Sequence, residues 1–133
     1  MRSYRLKDAA ALLGVSDDTA RRWADRGRFQ TSTDSAGHRV VAGPELARFA
    51  QEAATAESRP GGESTSARNR MTGLVTRVVR DTVMAQVEIQ AGPYRLVSLM
   101  SREAADALAL EPGVLAAAVV KSTNVVVETV DRP

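Results

Sequence analysis

Ser66-Ala67-Arg68-Asn69 sets a hydroxyl and a guanidinium beside main-chain amides, the donor set that a tetrahedral oxyanion needs once it leaves water. The chemistry this offers is binding, not turnover. No nucleophile stands beside a base, no carboxylates are paired for acid-base work, and no nucleotide-cradling loop occurs, so no enzyme is expected and no catalytic residue is assigned. A single histidine and no cysteine exclude a structural zinc site and disulfides, so no metal-ligand residues are assigned either. A second group of reactive side chains lies at Thr19, Arg21, Arg22 and Arg26. There the apolar phase of Val15, Ala20, Trp23 and Ala24 leaves these residues toward solvent or a partner.

Two small domains must position these groups, because composition breaks in the middle of the 133-residue chain. The stretch from Ala53 to Thr65 holds no large apolar residue, and its Pro60-Gly61-Gly62 core prevents regular structure, so it reads as a flexible linker. Each flanking piece is small enough that its core only marginally offsets chain entropy, and association between copies is the expected further source of stability. The net charge is only +2, yet nine Arg or Lys face seven acids from Met1 to Glu52, against six and seven from Met71 to Pro133. The basic excess thus belongs to the N-terminal half and the linker. No apolar run approaches the roughly 20 residues of a membrane helix, and the N-terminus has no secretory apolar region, so a cytoplasmic protein without a membrane partner is expected.

In the N-terminal half, Leu6 to Leu13 reads as a short helix stopped by Gly14. Ser16 then caps a second helix, with Asp17 and Asp18 at its positive end, that runs to Asp25 or Arg26 before Gly27. Phe29 to Val41 has the composition of a two-stranded wing, and Pro44 opens a third helix whose Leu46, Phe49 and Ala50 can close the core. Trp23 falls on the apolar phase and is assigned to packing, and His38 to hydrogen bonding in the wing. Tyr4-Arg5-Leu6, Leu13-Gly14-Val15-Ser16, Thr19-Ala20-Arg21-Arg22-Trp23-Ala24, Gly27 and Gly37-His38-Arg39 together resemble the winged helix-turn-helix domain of the mercury-resistance-regulator (MerR) and excisionase type. The resemblance implies that Asp17 to Asp25 enters the major groove of double-stranded DNA, with Ser16, Thr19, Arg21, Arg22 and the wing's Arg39 at the interface. Members often carry a basic residue after the cap, where this chain has Asp17 and Asp18. A single domain is therefore expected to bind weakly, and paired domains to be needed.

From Met71 onward alternation with period two dominates. Val83, Ala85, Val87 and Ile89 mark one buried face, and Val75 to Val79, Tyr94 to Met100, Val114 to Val120 and Val125 to Val130 give four more strands. One short helix, capped by Ser101 and running through Ala104, Ala105 and Leu108, interrupts them. The expected fold is therefore a mainly α winged helix-turn-helix (1–52), a linker (53–65), then an all-β, OB-like five-stranded barrel with one short helix (66–133). The second domain resembles the molybdate-binding Mop or TOBE domain through Ser66-Ala67-Arg68-Asn69, Gly73-Leu74-Val75, Val83-Met84-Ala85-Gln86-Val87, Leu108-Ala109-Leu110-Glu111-Pro112-Gly113 and Val120-Lys121-Ser122. That resemblance implies a molybdate or tungstate oxyanion held between subunits, by Ser66, Ala67, Arg68, Lys121 and Ser122 of one chain and the helix start at Ser101 of another. A second hydroxyl, frequent three residues after that cap, is replaced by Ala104. Buried Arg and Lys without an acidic partner would be costly without such an anion.

The expected protein is a DNA-binding transcriptional regulator that senses an oxyanion and associates with itself, as a dimer or a trimer of dimers. The alternatives are a molybdate-binding storage or homeostasis protein, and a regulator whose Mop-like domain serves only oligomerisation.

Overall fold

The computed structural model describes residues 2–54 and 65–131, so most of the expected linker lies outside the described residues. These form two compact units.

In the first unit, β1 (Ser3–Arg5) runs directly into α1 (Leu6–Leu13), whose Ala9 and Ala10 are fully buried. Gly14 turns the chain at φ 72°, and the Val15 N–H reaches back to Ala10 O at 3.0 Å, which closes the helix end. α2 (Asp17–Asp25) starts at Ser16, whose hydroxyl accepts from the Thr19 N–H at 3.1 Å. This is the helix, turn and second helix that the sequence predicts, with the same bounds. The wing consists of β2 (Ser32–Thr33) and β3 (Arg39–Ala42), and α3 (Gly43–Ala53) follows. Pairing of Tyr4 with Val41 adds β1 to the wing, giving a three-stranded sheet in the order β1-β3-β2. At the wing's tip Asp34 Oδ1 accepts from the N–H groups of Ala36 and His38, at 3.0 and 2.8 Å. The core gathers Ala9, Ala24, Phe29, Val41, Leu46 and Phe49, and Trp23 packs against Phe49 with ring centroids 5.3 Å apart. The Arg28 guanidinium covers the Trp23 ring at 5.0 Å, which leaves that ring in packing as expected.

The second unit is one antiparallel sheet in the order β6-β5-β4-β7, with a short helix packed on it. Its strands are β4 (Asn69–Arg80), β5 (Met84–Ala91), β6 (Tyr94–Ser101) and β7 (Leu115–Val120), and α4 (Arg102–Ala107) follows β6. The long β4 is shared: Asn69 to Leu74 pairs with β7, and Leu74 to Arg80 pairs with β5. At the changeover a Cβ on Gly73 would lie 2.8 Å from the Gln90 carbonyl carbon and 2.9 Å from Ala91 Cα, so only glycine lets the strands cross there. Val75, Ala85, Val87, Ile89, Ala105 and Leu110 make the core.

Two expectations need correction. Val125 to Val130 forms no ladder among the described residues, so the sheet has four strands, not five. Its valines have no facing strand among the described residues: Val126 is 94% and Val127 84% exposed. Val83 is also outside the core, since β5 begins at Met84 and Val83 lies in the preceding turn. That turn is held by Asp81, whose carboxylate accepts from the N–H groups of Val83 and Met84 at 2.7 and 2.6 Å.

Candidate anion site and nucleic-acid interface

The β4–β7 register decides which candidate anion-binding residues meet. Asn69 pairs with Val120 and its side-chain amide donates to Val120 O at 3.0 Å. Ser66-Ala67-Arg68 and Lys121-Ser122 therefore leave the sheet side by side at one end. Ala67 is buried, and its N–H donates to Thr65 Oγ1 at 3.1 Å, while Ser66, Arg68, Lys121 and Ser122 are exposed. The Arg68 guanidinium lies over the carbonyls of Thr65 and Ala67, at the long distances of 3.5 and 3.4 Å. Lys121 precedes a single 3-10 turn, Ser122–Asn124, whose Asn124 N–H donates to Lys121 O at 2.9 Å. Among the described residues neither Arg68 nor Lys121 forms an ion pair.

Ser101 is not part of this group. It pairs with Met84, next to the β4 terminus at Arg80, so the whole of β4 separates it from Arg68. That strand has 12 residues, roughly 40 Å if straight. Ser101 Oγ accepts from the Ala104 N–H at 3.0 Å, which leaves its own proton free to donate. The amides of α4 offer less than the sequence suggests, because the Arg102 N–H already donates to Val83 O at 2.8 Å. Ser101 opens onto a depression lined also by Thr82, Val83, Arg102, Glu103 and Asp106, and Asp106 is ion-paired to Arg80 at 2.9 Å, so its charges balance. One chain thus carries a cationic half at one end of the sheet and a hydroxyl-bearing half of balanced charge at the other.

The DNA-facing candidates sit together on the first unit. Ala20 and Ala24 are buried on the inner face of α2, and Asp18, Arg21, Arg22 and Asp25 are exposed. The Ser16 hydroxyl also donates to Thr19 Oγ1 at 2.9 Å, which in turn accepts from Arg22 at 3.3 Å. Ser16 and Thr19 are thereby engaged in holding the helix start. Arg39 plays a different part from Arg21 and Arg22. It binds Asp25 at 2.7 Å and Thr31 Oγ1 at 3.0 Å, so it ties the wing to the end of α2. Arg5 and Lys7 carry no assignment from the sequence, yet they line one shallow depression with Arg21, His38 and Arg39. The available signal was their position on either side of Leu6, where β1 becomes α1.

Among the described residues no cluster of three or more His, Cys, Asp or Glu could hold a metal ion, and no helix is long and apolar enough to cross a membrane.

Comparison with known proteins divides the chain the same way. Residues 65–127 match the family model of the TOBE domain and residues 3–54 that of a helix-turn-helix domain. Among solved structures, a molybdate-binding protein from Sporomusa ovata is 30% identical over 50% of this chain and 98% of its own, with a TM-score of 0.48. MopII from Clostridium pasteurianum is 34% identical over 50% of this chain and 100% of its own, with a TM-score of 0.46. The cytoplasmic molybdate-binding protein ModG, solved with molybdate bound, is 36% identical over 49% of this chain, with a TM-score of 0.46, and this chain spans 47% of its length. No curated protein matches. The chain is therefore a helix-turn-helix domain, residues 3–54, joined to a TOBE domain, residues 65–127.

Proposed function

We propose that this protein is a cytoplasmic transcriptional regulator that binds double-stranded DNA through its helix-turn-helix domain and takes up an oxyanion, molybdate or tungstate, at junctions between its TOBE domains. The observation that carries this reading is the pairing of Asn69 with Val120, since Arg68 and Lys121 are the residues next to that pair and neither has a carboxylate partner among the described residues. Two adjacent cations repel each other, and an intervening dianion turns that repulsion into attraction.

The donors at Ser101 belong to the far end of the sheet, so a full shell requires a second copy. Exposed apolar surface points the same way: Leu99 and Leu115 on the outer strands β6 and β7 are 70% and 71% exposed. Ser66, Arg68, Lys121 and Ser122 act as donors from one chain, with Ala67 fixing the backbone between two of them. The Ser101 hydroxyl closes the shell from another. Loading the junction stabilises the assembly and so changes how paired helix-turn-helix domains engage DNA across the 53–65 linker.

The test is duplex binding with and without molybdate. A sequence-preferring, salt-dependent complex whose affinity changes on loading, and which Arg22→Ala abolishes, is the expected result. Loading by molybdate with no effect on any duplex would instead make this a storage protein. The exposed apolar surface also favours a second reading, in which the TOBE domain only assembles the DNA-binding domains. Absence of any oxyanion uptake would select it.

A further inference from the structure

The outward face of α2 carries as many carboxylates as cations, an arrangement at odds with simple attraction to phosphate. At about 100° per residue, Asp18 and Arg22 stand opposite the buried Ala20 and Ala24, with Arg21 and Asp25 beside them. Asp25 is occupied by Arg39 of the wing at 2.7 Å. Asp18 is not held in this way. Its side chain is 86% exposed and, among the described residues, is paired only with Arg21, at the long distance of 3.3 Å. The groups suited to phosphate lie to one side, where Arg5 and Lys7 line the shallow depression that Arg21 borders.

Helix capping does not require Asp18, because Ser16 already caps α2 and Asp17 supplies negative charge in the same turn. A carboxylate centred on a groove-facing helix can only accept, and the major groove offers it only the amino groups of cytosine and adenine. The adjacent guanidinium decides between them. A C·G pair presents its N4 donor followed by two neighbouring acceptors, O6 and N7 of guanine, which suit a carboxylate followed by a bidentate Arg. An A·T pair has one acceptor on each side of its donor and does not offer Arg that fork.

We propose that Asp18 is a base-reading residue that accepts from cytosine N4, with Arg21 on the guanine of the same pair. This rests on α2 being the groove-reading helix of the proposed regulator. The carboxylate costs affinity for DNA in general and confers preference at one position, a balance characteristic of specificity by repulsion.

The test is selection from a randomised duplex library by the full-length protein, with Asp18→Ala and the near-isosteric Asp18→Asn, which preserves the helix if the alanine variant does not fold. The wild type should fix a C·G pair at one position. Asp18→Ala should lose about tenfold in preference at that position, keep the preferences elsewhere, and bind unrelated duplexes more tightly. Asp18→Asn should move the preference there toward adenine, whose N6 and N7 an amide can bridge. An unchanged consensus in both variants would overturn the proposal and leave DNA binding intact, since a residue serving only the helix dipole would weaken all sequences alike. A wild-type protein that retains no duplex would overturn this proposal and the regulator reading together.

Discussion

Asn69 and Gly73, not the charged residues, decide what the second unit can present at its end. The Asn69 amide locks β4 to Val120, and Gly73 lets β4 pass against Gln90 as it changes partners. Asn69→Ala should cost about 1 kcal/mol in urea unfolding, the usual worth of one such hydrogen bond. Gly73→Ala should cost more, about 3 kcal/mol, because the methyl group meets backbone that cannot turn aside. The sequence displays both residues without revealing these roles. The hydroxyl and cation chemistry of Ser66, Arg68, Lys121 and Ser122 was legible from residue type and motif, whereas a glycine inside a strand shows its purpose only once the crossing strand is known. Arg39 shows the converse: its charge suggested phosphate, but one of its N–H groups is held by Asp25 and another by Thr31.

At the scale of elements, the tight turns depend on carboxylates that must stay ionised. Hydrogen bonds from the N–H groups of Met84 and Val83 hold the Asp81 carboxyl below the usual aspartate value of 3.8, and that of His38 does the same for Asp34. In each case the folded-state value lies below the unfolded one. Their contribution to stability is thus complete above the ordinary aspartate range and is lost as pH falls through the depressed value. Carboxyl NMR titration should place the Asp81 midpoint below 3.8, and Asp81→Asn should flatten the acid limb of the stability profile. The helices were legible to within a residue or so at the ends that were read, because caps and apolar phase are local: Ser16, Gly14 and the spacing of Ala20 and Ala24 place α1 and α2, while α3 begins at Gly43, one residue before Pro44, and α4 ends at Ala107, one before Leu108. The fifth strand was not, because β propensity in Val125 to Val127 says nothing about which neighbour completes the ladder.

For the whole molecule, an oxyanion shell shared between chains requires copies to meet through their TOBE domains. Light scattering should find more than a monomer, and Leu99→Glu, a charge on an outer strand face that is 70% exposed here, should shift the distribution toward single chains. The same substitution should weaken oxyanion uptake while leaving the helix-turn-helix core unchanged, because Arg68 and Ser101 lie at opposite ends of one sheet. The most direct test of that central claim is calorimetry of the full-length protein with molybdate, tungstate and sulfate, beside Arg68→Ala and Lys121→Ala. Saturable heat with molybdate or tungstate is expected, with a loss of affinity of at least about tenfold in each variant, as for a charge-assisted contact. No heat with any of the three anions, or uptake indifferent to both substitutions, would contradict the claim.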